Sequence, residues 1–473
     1  MHISFTVMKK SVKVLISACT VIAILLACSK ATHSQTNEGG DKPLPEDNSI
    51  SSIKTTLPAD SCNNYFFSVN TCPGENSSTQ MNASWGVKEN TEYCILYLIE
   101  NKQIVSRIRL EASKASKCYV YDGIYSKKAN GENFYESARF LKYGYTFSSL
   151  SPNTKYSYII TSYWTDPQGE TRSARSALYN FTTAGSENWN ACVISDFHSY
   201  PPIPGRLTSA MNMVGTVSSY SKQLDNRDID WVLQLGDVVA WGGSWSFWNI
   251  MYRQAPFKNY MWAGLNGNHD NMTREYGESN LYFKCSTANP SNGYAGQTGV
   301  CYYFTYGNVL FIMLNSEVMG SDSGLETAQA WVKQVLSKSN AKFKVVCEHY
   351  QWFYGTTGKT SQYSRWRELF DSYGVDLALG ANNHIYVRSH KLYNGAPVTS
   401  GKGTVYLQTP SSDNDRGQDP YQELEYNQDL IAARWNEGPH TIGALLLQAT
   451  PNSLTLTLLD RNGAVQDSAV ISK

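Results

Sequence analysis

The chain has 473 residues, enough for two or three domains. Its formal net charge is +0 and its pI about 7.0, so charge gives no case for a nucleic-acid partner. Aromatic residues make up 13%, with 32 Tyr and 12 Trp. That suits a β-rich extracellular protein and leaves carbohydrate contacts open, since both residues are also ordinary strand formers.

In chain order, the N-terminus comes first. Lys9, Lys10 and Lys13 precede the apolar run Val14 to Ala27, which closes on Leu25-Leu26-Ala27-Cys28. A basic start and a short apolar stretch read as a signal peptide over 1–28, too short to span a bilayer. Leu-Leu-Ala-Cys resembles the lipobox of bacterial lipoproteins. That resemblance implies lipid attachment at Cys28, export, and anchoring to a bacterial membrane on its periplasmic side or at the cell surface. Residues 29–58 are rich in Ser, Thr, Asn, Gly, Asp and Pro and read as a flexible tether.

Of 10 cysteines, Cys19 and Cys28 belong to the signal segment. An exported chain permits disulfides, and Cys62 with Cys72, Cys94 with Cys118, and Cys285 with Cys301 are the local pairs; sequence leaves the connectivity open. Cys192 and Cys347 sit in apolar strand-like runs and read as buried thiols. None has zinc-finger spacing.

Residues 59–184 show short alternating runs between Pro, Gly and Asn turns. Met81 to Trp85, Tyr93 to Leu98, Tyr145 to Phe147, Tyr156 to Ile160 and Tyr179 to Thr183 predict an all-β sandwich, with Trp85 inward. Leu150-Ser151-Pro152-Asn153-Thr154-Lys155-Tyr156 resembles the Leu-x-Pro-x-Thr-x-Tyr turn of fibronectin type III domains. Asn180-Phe181-Thr182-Thr183 resembles their last strand. No constellation of titratable groups appears here, so this segment is expected to position or bind.

Residues 187–473 alternate strands and helices. The apolar run Asn190 to Ile194 leads to Asp196-Phe197-His198, whose carboxylate and imidazole point the same way from extended backbone. A helical pattern covers 206–226. Trp231 to Leu235 is strand-like and ends in Gly236-Asp237. After a helix over Phe247 to Gln254, the run Tyr260 to Leu265 opens into Asn266-Gly267-Asn268-His269-Asp270. Asn268 offers a hard carbonyl oxygen, His269 can move a proton near neutral pH, and Asp270 can fix the tautomer of His269. Tyr302 to Asn315 predicts a strand pair around Tyr306-Gly307-Asn308, and Thr327 to Leu336 an amphipathic helix. Lys344 to Glu348 is a strand ending in His349. After a helix over Trp366 to Tyr373, Val375 to Gly380 opens into Ala381-Asn382-Asn383-His384. Val405 to Gln408, Ile442 to Gln448 and Leu454 to Leu459 are further strands. Every candidate ligand lies at the C-terminal end of a strand, where open α/β sheets place their sites.

Asp-x-His, Gly-Asp, Gly-Asn-His-Asp, Val-x-x-His and a variant of Gly-His-x-His, in this order, resemble the calcineurin-like metallophosphoesterase superfamily. The fibronectin-like front and His384-Ile385-Tyr386-Val387-Arg388, similar to a His-x-Tyr-x-Arg continuation, resemble its purple acid phosphatase branch. The implied fold is multidomain: an N-terminal all-β fibronectin-like sandwich, then an α/β (αββα) metallophosphoesterase domain. Asp196, His198 and His384 would hold one metal, Asp237 would bridge, and Asn268, His349 and the residue at Asn382 would serve the second. His269 would act beside the substrate phosphate with Asn268, and Asp270 would orient it. The cofactors implied are two divalent or trivalent ions, Fe, Zn or Mn.

Two departures stand out. Ala240 replaces the iron-binding Tyr of the purple enzymes while His198 adds an imidazole, so no purple colour is expected. Asn382 replaces a His, which weakens the second site and shifts it toward harder ions. The implied reaction is hydrolysis of a phosphate-ester substrate: cations about 3.5–4 Å apart lower the pKa of a shared water, whose hydroxide attacks phosphorus. His269 would protonate the leaving oxygen. A catalytically weakened surface binding protein on the same fold is the alternative.

Overall fold

The computed structural model describes residues 47–57, 64–122, 136–185, 188–272, 280–353, 362–413 and 428–473. The signal segment, Cys28 and most of the tether lie outside the described residues. Within the described residues no helix is long and apolar enough to cross a membrane.

Alternation in the front segment builds nine strands: β1 (Phe66–Pro73), β2 (Met81–Lys88), β3 (Tyr93–Glu100), β4 (Gln103–Glu111), β5 (Ser116–Tyr121), β6 (Ser137–Phe147), β7 (Lys155–Thr165), β8 (Thr171–Arg175) and β9 (Tyr179–Thr182). Strands β1, β2, β6 and β5 are neighbours in one sheet. Strands β4, β3, β7 and β8 form another, with β9 on β7. This is the strand order of an immunoglobulin-like Greek key. Alternate residues turn inward, so Trp85, Leu96, Tyr143, Tyr158 and Phe181 meet between the sheets, fully buried. The Leu-x-Pro-x-Thr-x-Tyr turn closes as a tyrosine corner: the Ser151 N–H donates to the Tyr156 hydroxyl at 3.0 Å.

The second segment runs β10 (Trp189–Ile194), α1 (Gly205–Asp225), β11 (Trp231–Gln234), α2 (Trp245–Tyr252), α3 (Pro256–Asn259), β12 (Met261–Gly264), α4 (Asn268–Asn271), α5 (Leu281–Ser286), β13 (Tyr302–Tyr306), β14 (Val309–Met313), α6 (Asp322–Lys338), β15 (Phe343–Cys347), α7 (Tyr363–Tyr373) and β16 (Leu377–Gly380). It closes with β17 (Tyr386–Tyr393), β18 (Ala396–Pro397), β19 (Thr404–Gln408), β20 (Ile431–Trp435), β21 (Gly443–Ala449), β22 (Ser453–Asp460) and β23 (Val465–Ser472).

These strands form two facing sheets between helices. One runs β23-β22-β21-β10-β11-β12 and continues through β1 into β2, β6 and β5. The other runs β13-β14-β15-β16-β19-β17-β18, with β20 on β17. Periodicity decides which side each residue takes. In β10, Trp189, Ala191 and Val193 face the second sheet, while Cys192 and Ile194 pack with Leu207, Met213 and Val217 of α1. On the far side α6 buries Ala328, Trp331, Val332, Val335 and Leu336, one stripe at helical spacing, after Ser321 caps it by accepting from the Gly324 N–H. The result is an αββα stack.

The boundary read between 184 and 187 falls between β9 and β10, yet the two segments share a sheet. Strand β1 pairs in parallel with β12 through Thr71 and Met261, and residues 48–473 form one compact unit.

The local cysteine pairs are corrected. Among the described residues, Cys72, Cys94, Cys118, Cys192, Cys285, Cys301 and Cys347 are buried thiols outside any disulfide. Cys94 and Cys118 lie in different sheets, and Cys285 and Cys301 belong to different apolar clusters, so chain proximity does not become contact. Cys62 lies outside the described residues. Cys192 and Cys347 are the buried thiols expected, with burial pushing both far above the usual thiol range.

Candidate metal centre

The C-terminal ends of β10, β11 and β12 in one sheet and of β15 and β16 in the other converge. Their side chains form overlapping groups. Asp196, His198 and His384 bring ligand atoms within 4.8 Å of one another, as do Asp196, Asp237 and His349, and His198, Asp237 and His269. All the sequence-read histidines and carboxylates except Asp270 thus share one centre. Asp237 stands in the middle: its Oδ2 is 3.2 Å from His198 Nε2, 3.3 Å from His349 Nε2 and 4.0 Å from His269 Nε2. Asp196 Oδ1 lies 3.5 Å from His384 Nε2 and 3.9 Å from His349 Nε2.

Tight loops aim these groups. Asp196, His198, Asp237, Asn382 and His384 have φ of 51°, 42°, 50°, 71° and 61°. Non-glycine residues rarely adopt this left-handed region, and its cost concentrates at functional sites. Gly236 is required by space as well as by its φ of 95°. A Cβ there would stand 2.5 Å from His349 Nδ1.

Backbone carbonyls set the tautomers. A carbonyl oxygen can only accept, so a ring nitrogen beside it carries the proton. His349 Nδ1 donates to Leu235 O at 2.8 Å, and His269 Nδ1 donates to Ala240 O at 2.8 Å. His198 Nδ1 faces Asp196 O at 2.9 Å and Asp413 Oδ2 at 3.3 Å. In each ring the Nε2 is left for the centre.

The expected role of Asp270 is corrected. Its carboxylate accepts the N–H groups of Gly267, Val239 and Val238 at 2.9, 3.0 and 3.3 Å. It joins the Asp237 loop to the Asn268 loop, while the Ala240 carbonyl orients His269. Burial, with Asp237 nearby, pushes the Asp270 carboxyl up to about 7. Asn382 is held by its neighbours: its N–H donates to Asp196 Oδ2 at 3.2 Å, and its amide Nδ2 to Gln351 Oε1 at 2.7 Å.

The residues fit a cation. Asp196 Oδ1, Asn268 Oδ1 and His349 Nε2 are buried without a hydrogen-bond partner. Leaving such atoms unsatisfied costs about 1–3 kcal/mol each, a cost that bound metal ions would remove. Burial alone would raise Asp237 and lower His349. Their mutual attraction outweighs it, joined by His198 for the carboxylate and Asp196 for the imidazole. The Asp237 carboxyl is held well below the usual range, and His349 is raised to about 10. Carboxylates this buried demand positive charge, and oxygen and imidazole donors suit Fe, Zn or Mn.

Sequence reading missed Asp413 and Gln351. Both are buried, and both lie outside any ligand motif. Only contact in space reveals them.

Comparisons with known proteins agree with this centre. Residues 190–386 match the calcineurin-like phosphoesterase family. An uncharacterized protein of Mycobacterium tuberculosis is 28% identical over 306 residues, 57% of this chain and 55% of that protein. Purple acid phosphatase 15 of Arabidopsis thaliana is 23% identical over 283 residues, 52% of this chain and 49% of that one. The chain thus spans about half the length of the curated relatives it matches. Among solved structures, a purple acid phosphatase from yellow lupin (Lupinus luteus) seeds superposes with a TM-score of 0.64 at 15% identity, covering 86% of this chain and 74% of that one. PhoD superposes at 0.55 and 12% identity, covering 86% and 89%. Residues 190–386 are thus similar to the calcineurin-like phosphoesterase family, and the similarity of the chain extends to purple acid phosphatases.

Proposed function

We propose that the chain is a metal-dependent phosphoric ester hydrolase, exported and held to a bacterial membrane through lipid on Cys28. The observation that carries the chemistry is the convergence of Asp196, His198, His269, His349 and His384 around Asp237, with Asp196 Oδ1 and the nearby Asn268 Oδ1 buried and without a hydrogen-bond partner. Asp196, His198 and His384 would hold one cation, Asn268 and His349 a second, and Asp237 both. When bound, the ions would supply Lewis acidity toward phosphate oxygens and acidify water.

The protein's own groups do the rest. The Ala240 carbonyl keeps the proton on His269 Nδ1, so Nε2 faces the centre and can take up a second proton. The resulting imidazolium can donate to the leaving oxygen. The His269 side chain is 17% exposed, against 0% for His198 and His349, so it is the imidazole an incoming ester can reach. Asn268 would stand beside it at the phosphate.

Asn382 favours a second reading, a surface binding protein with a weakened second metal site, because its amide is engaged with Gln351. One experiment separates the two. Residues 29–473 are assayed on p-nitrophenyl phosphate and its bis-ester with Mn, Zn, Fe and Mg across pH, beside Asp237→Asn. Turnover that requires metal and disappears in the variant supports the hydrolase. Folded, metal-loaded protein without turnover favours the binding reading. The ratio of the two rates assigns monoester or diester preference.

A further inference from the structure

Outside the metal centre, a second chemical cluster lies where the front sheet meets α5. Strand β5 is an edge strand, and Tyr282 of α5 bonds to its last residue. The Tyr282 hydroxyl accepts from the Tyr121 N–H at 3.1 Å and donates to the Tyr121 carbonyl at 2.8 Å. One helical turn beyond Tyr282 is Cys285, and three residues before Tyr121 is Cys118. The two thiols hydrogen-bond each other in one apolar cluster with Phe140 and Trp245. Lys142 of β6 reaches over them, its Nζ donating to the Thr287 carbonyl at the end of α5 at 2.7 Å.

We propose that Cys118 and Cys285 form a disulfide that fastens α5 to the edge of the front sheet. The pairing joins residues far apart in sequence and replaces the local pairs that spacing alone offers.

The surroundings suit the exchange chemistry. The thiolate is the nucleophile, and a neighbouring ammonium favours it. Hydrogen bonding to Cys285 lowers the Cys118 thiol, burial opposes it, and the Lys142 ammonium adds a smaller push downward. Cys72, Cys94 and Cys301 are driven the opposite way by burial. The oxidant is a low-molecular-weight disulfide such as oxidised glutathione. The Cys118 thiolate attacks one of its sulfurs, forming a mixed disulfide and releasing one glutathione thiol. The Cys285 thiolate then attacks the Cys118 sulfur and displaces the second. Two electrons pass from the protein to the small disulfide, and the two cysteine protons end on the released thiols. Cys118 and Cys285 are 7% and 5% exposed, so the bond closes during folding, before the cluster is sealed.

The link has a mechanical consequence. The residue before α5 is Asn280, whose Oδ1 accepts from Asn266 Nδ2 at 2.6 Å. Asn266 opens the loop that carries Asn268 and His269. Fastening α5 therefore braces that loop from behind.

The test is to refold the full chain in a reduced and oxidised glutathione mixture, block remaining thiols, and map peptides without reduction. The expected result is a Cys118–Cys285 cross-linked peptide, a mass lower by two hydrogens, and alkylation at Cys94, Cys192, Cys301 and Cys347. Cys118→Ser and Cys285→Ser should each abolish the cross-link, while Cys94→Ser and Cys301→Ser keep it. Full alkylation of both cysteines, or cross-links that join either one elsewhere, overturns the proposal. The mapping is done on the unaltered chain, so a variant that fails to fold does not blunt it.

Discussion

At the residue scale the centre is governed by second partners. Asp413 holds the Nδ1 side of His198, as ligand imidazoles are commonly held by a carboxylate, which raises their basicity. Asp413→Ala should lower metal affinity about 10–100-fold, read as metal retained against a graded chelator, with the far-ultraviolet spectrum unchanged. Asn382 is the opposite case, a weak donor where an imidazole is expected. Asn382→His should raise the metal bound per chain, measured by elemental analysis after dialysis; unchanged stoichiometry would show that Gln351, not ligand type, sets the occupancy. Asp196, His198, Asp237, His349 and His384, which the structure gathers, were readable as candidates because strand-end motifs repeat a local rule. Asp413 was not, since its link to His198 spans distant parts of the chain and leaves no spacing signal. The role of Asp270 was misread for a related reason. Adjacency to His269 suggested a hydrogen bond, but at the start of α4 a carboxylate serves the backbone N–H groups before it serves its neighbour's ring.

At the element scale the strand ends tolerate little. Gly236→Ala would force a methyl against His349 and strain the turn, since the native φ of 95° suits glycine alone. We expect loss of metal binding and a stability loss of about 2 kcal/mol or more, followed by denaturant unfolding with and without Mn. The His-x-Tyr-x-Arg continuation has a structural task. Arg388 grips Asp467 through Nε at 2.6 Å and a second guanidinium nitrogen at 3.0 Å, while the Tyr386 hydroxyl donates to the same carboxylate at 2.6 Å. This clamp ties β17 of one sheet to β23 of the other, just beyond His384. Burial pushes the Asp467 carboxyl up, but Arg388 and Tyr386 hold it below its usual value. Its folded pKa is depressed, so its stabilisation is present above the unfolded carboxylate pKa and is lost as pH falls through the folded value. Asp467→Ala should cost about 2 kcal/mol at neutral pH, trimmed by solvent at the sheet rim, and should flatten the acid limb of the stability profile.

At the scale of the whole molecule the two segments share a sheet. Patterning revealed the front-segment strands and the Leu150 to Tyr156 turn because alternation and turn residues are local. That β1 would lie along β12 was hidden, because a sheet edge carries no mark of what will cover it. Residues 187–473 alone would expose the β12 edge and the apolar surface around Tyr306, whose hydroxyl donates to the Thr182 carbonyl at 3.0 Å. That fragment should aggregate or fail to fold where 59–473 gives a cooperative transition, a contrast that calorimetry and size-exclusion chromatography would read.

The ligands come from five strand ends in two sheets, so the full donor set is complete only once the two sheets have docked. Divalent ions differ widely in intrinsic affinity for nitrogen and oxygen donors, and selection among them rests largely on which are at hand. The choice of cation is therefore made by geography: the ion pool of the compartment in which the chain finishes folding decides which metal it carries.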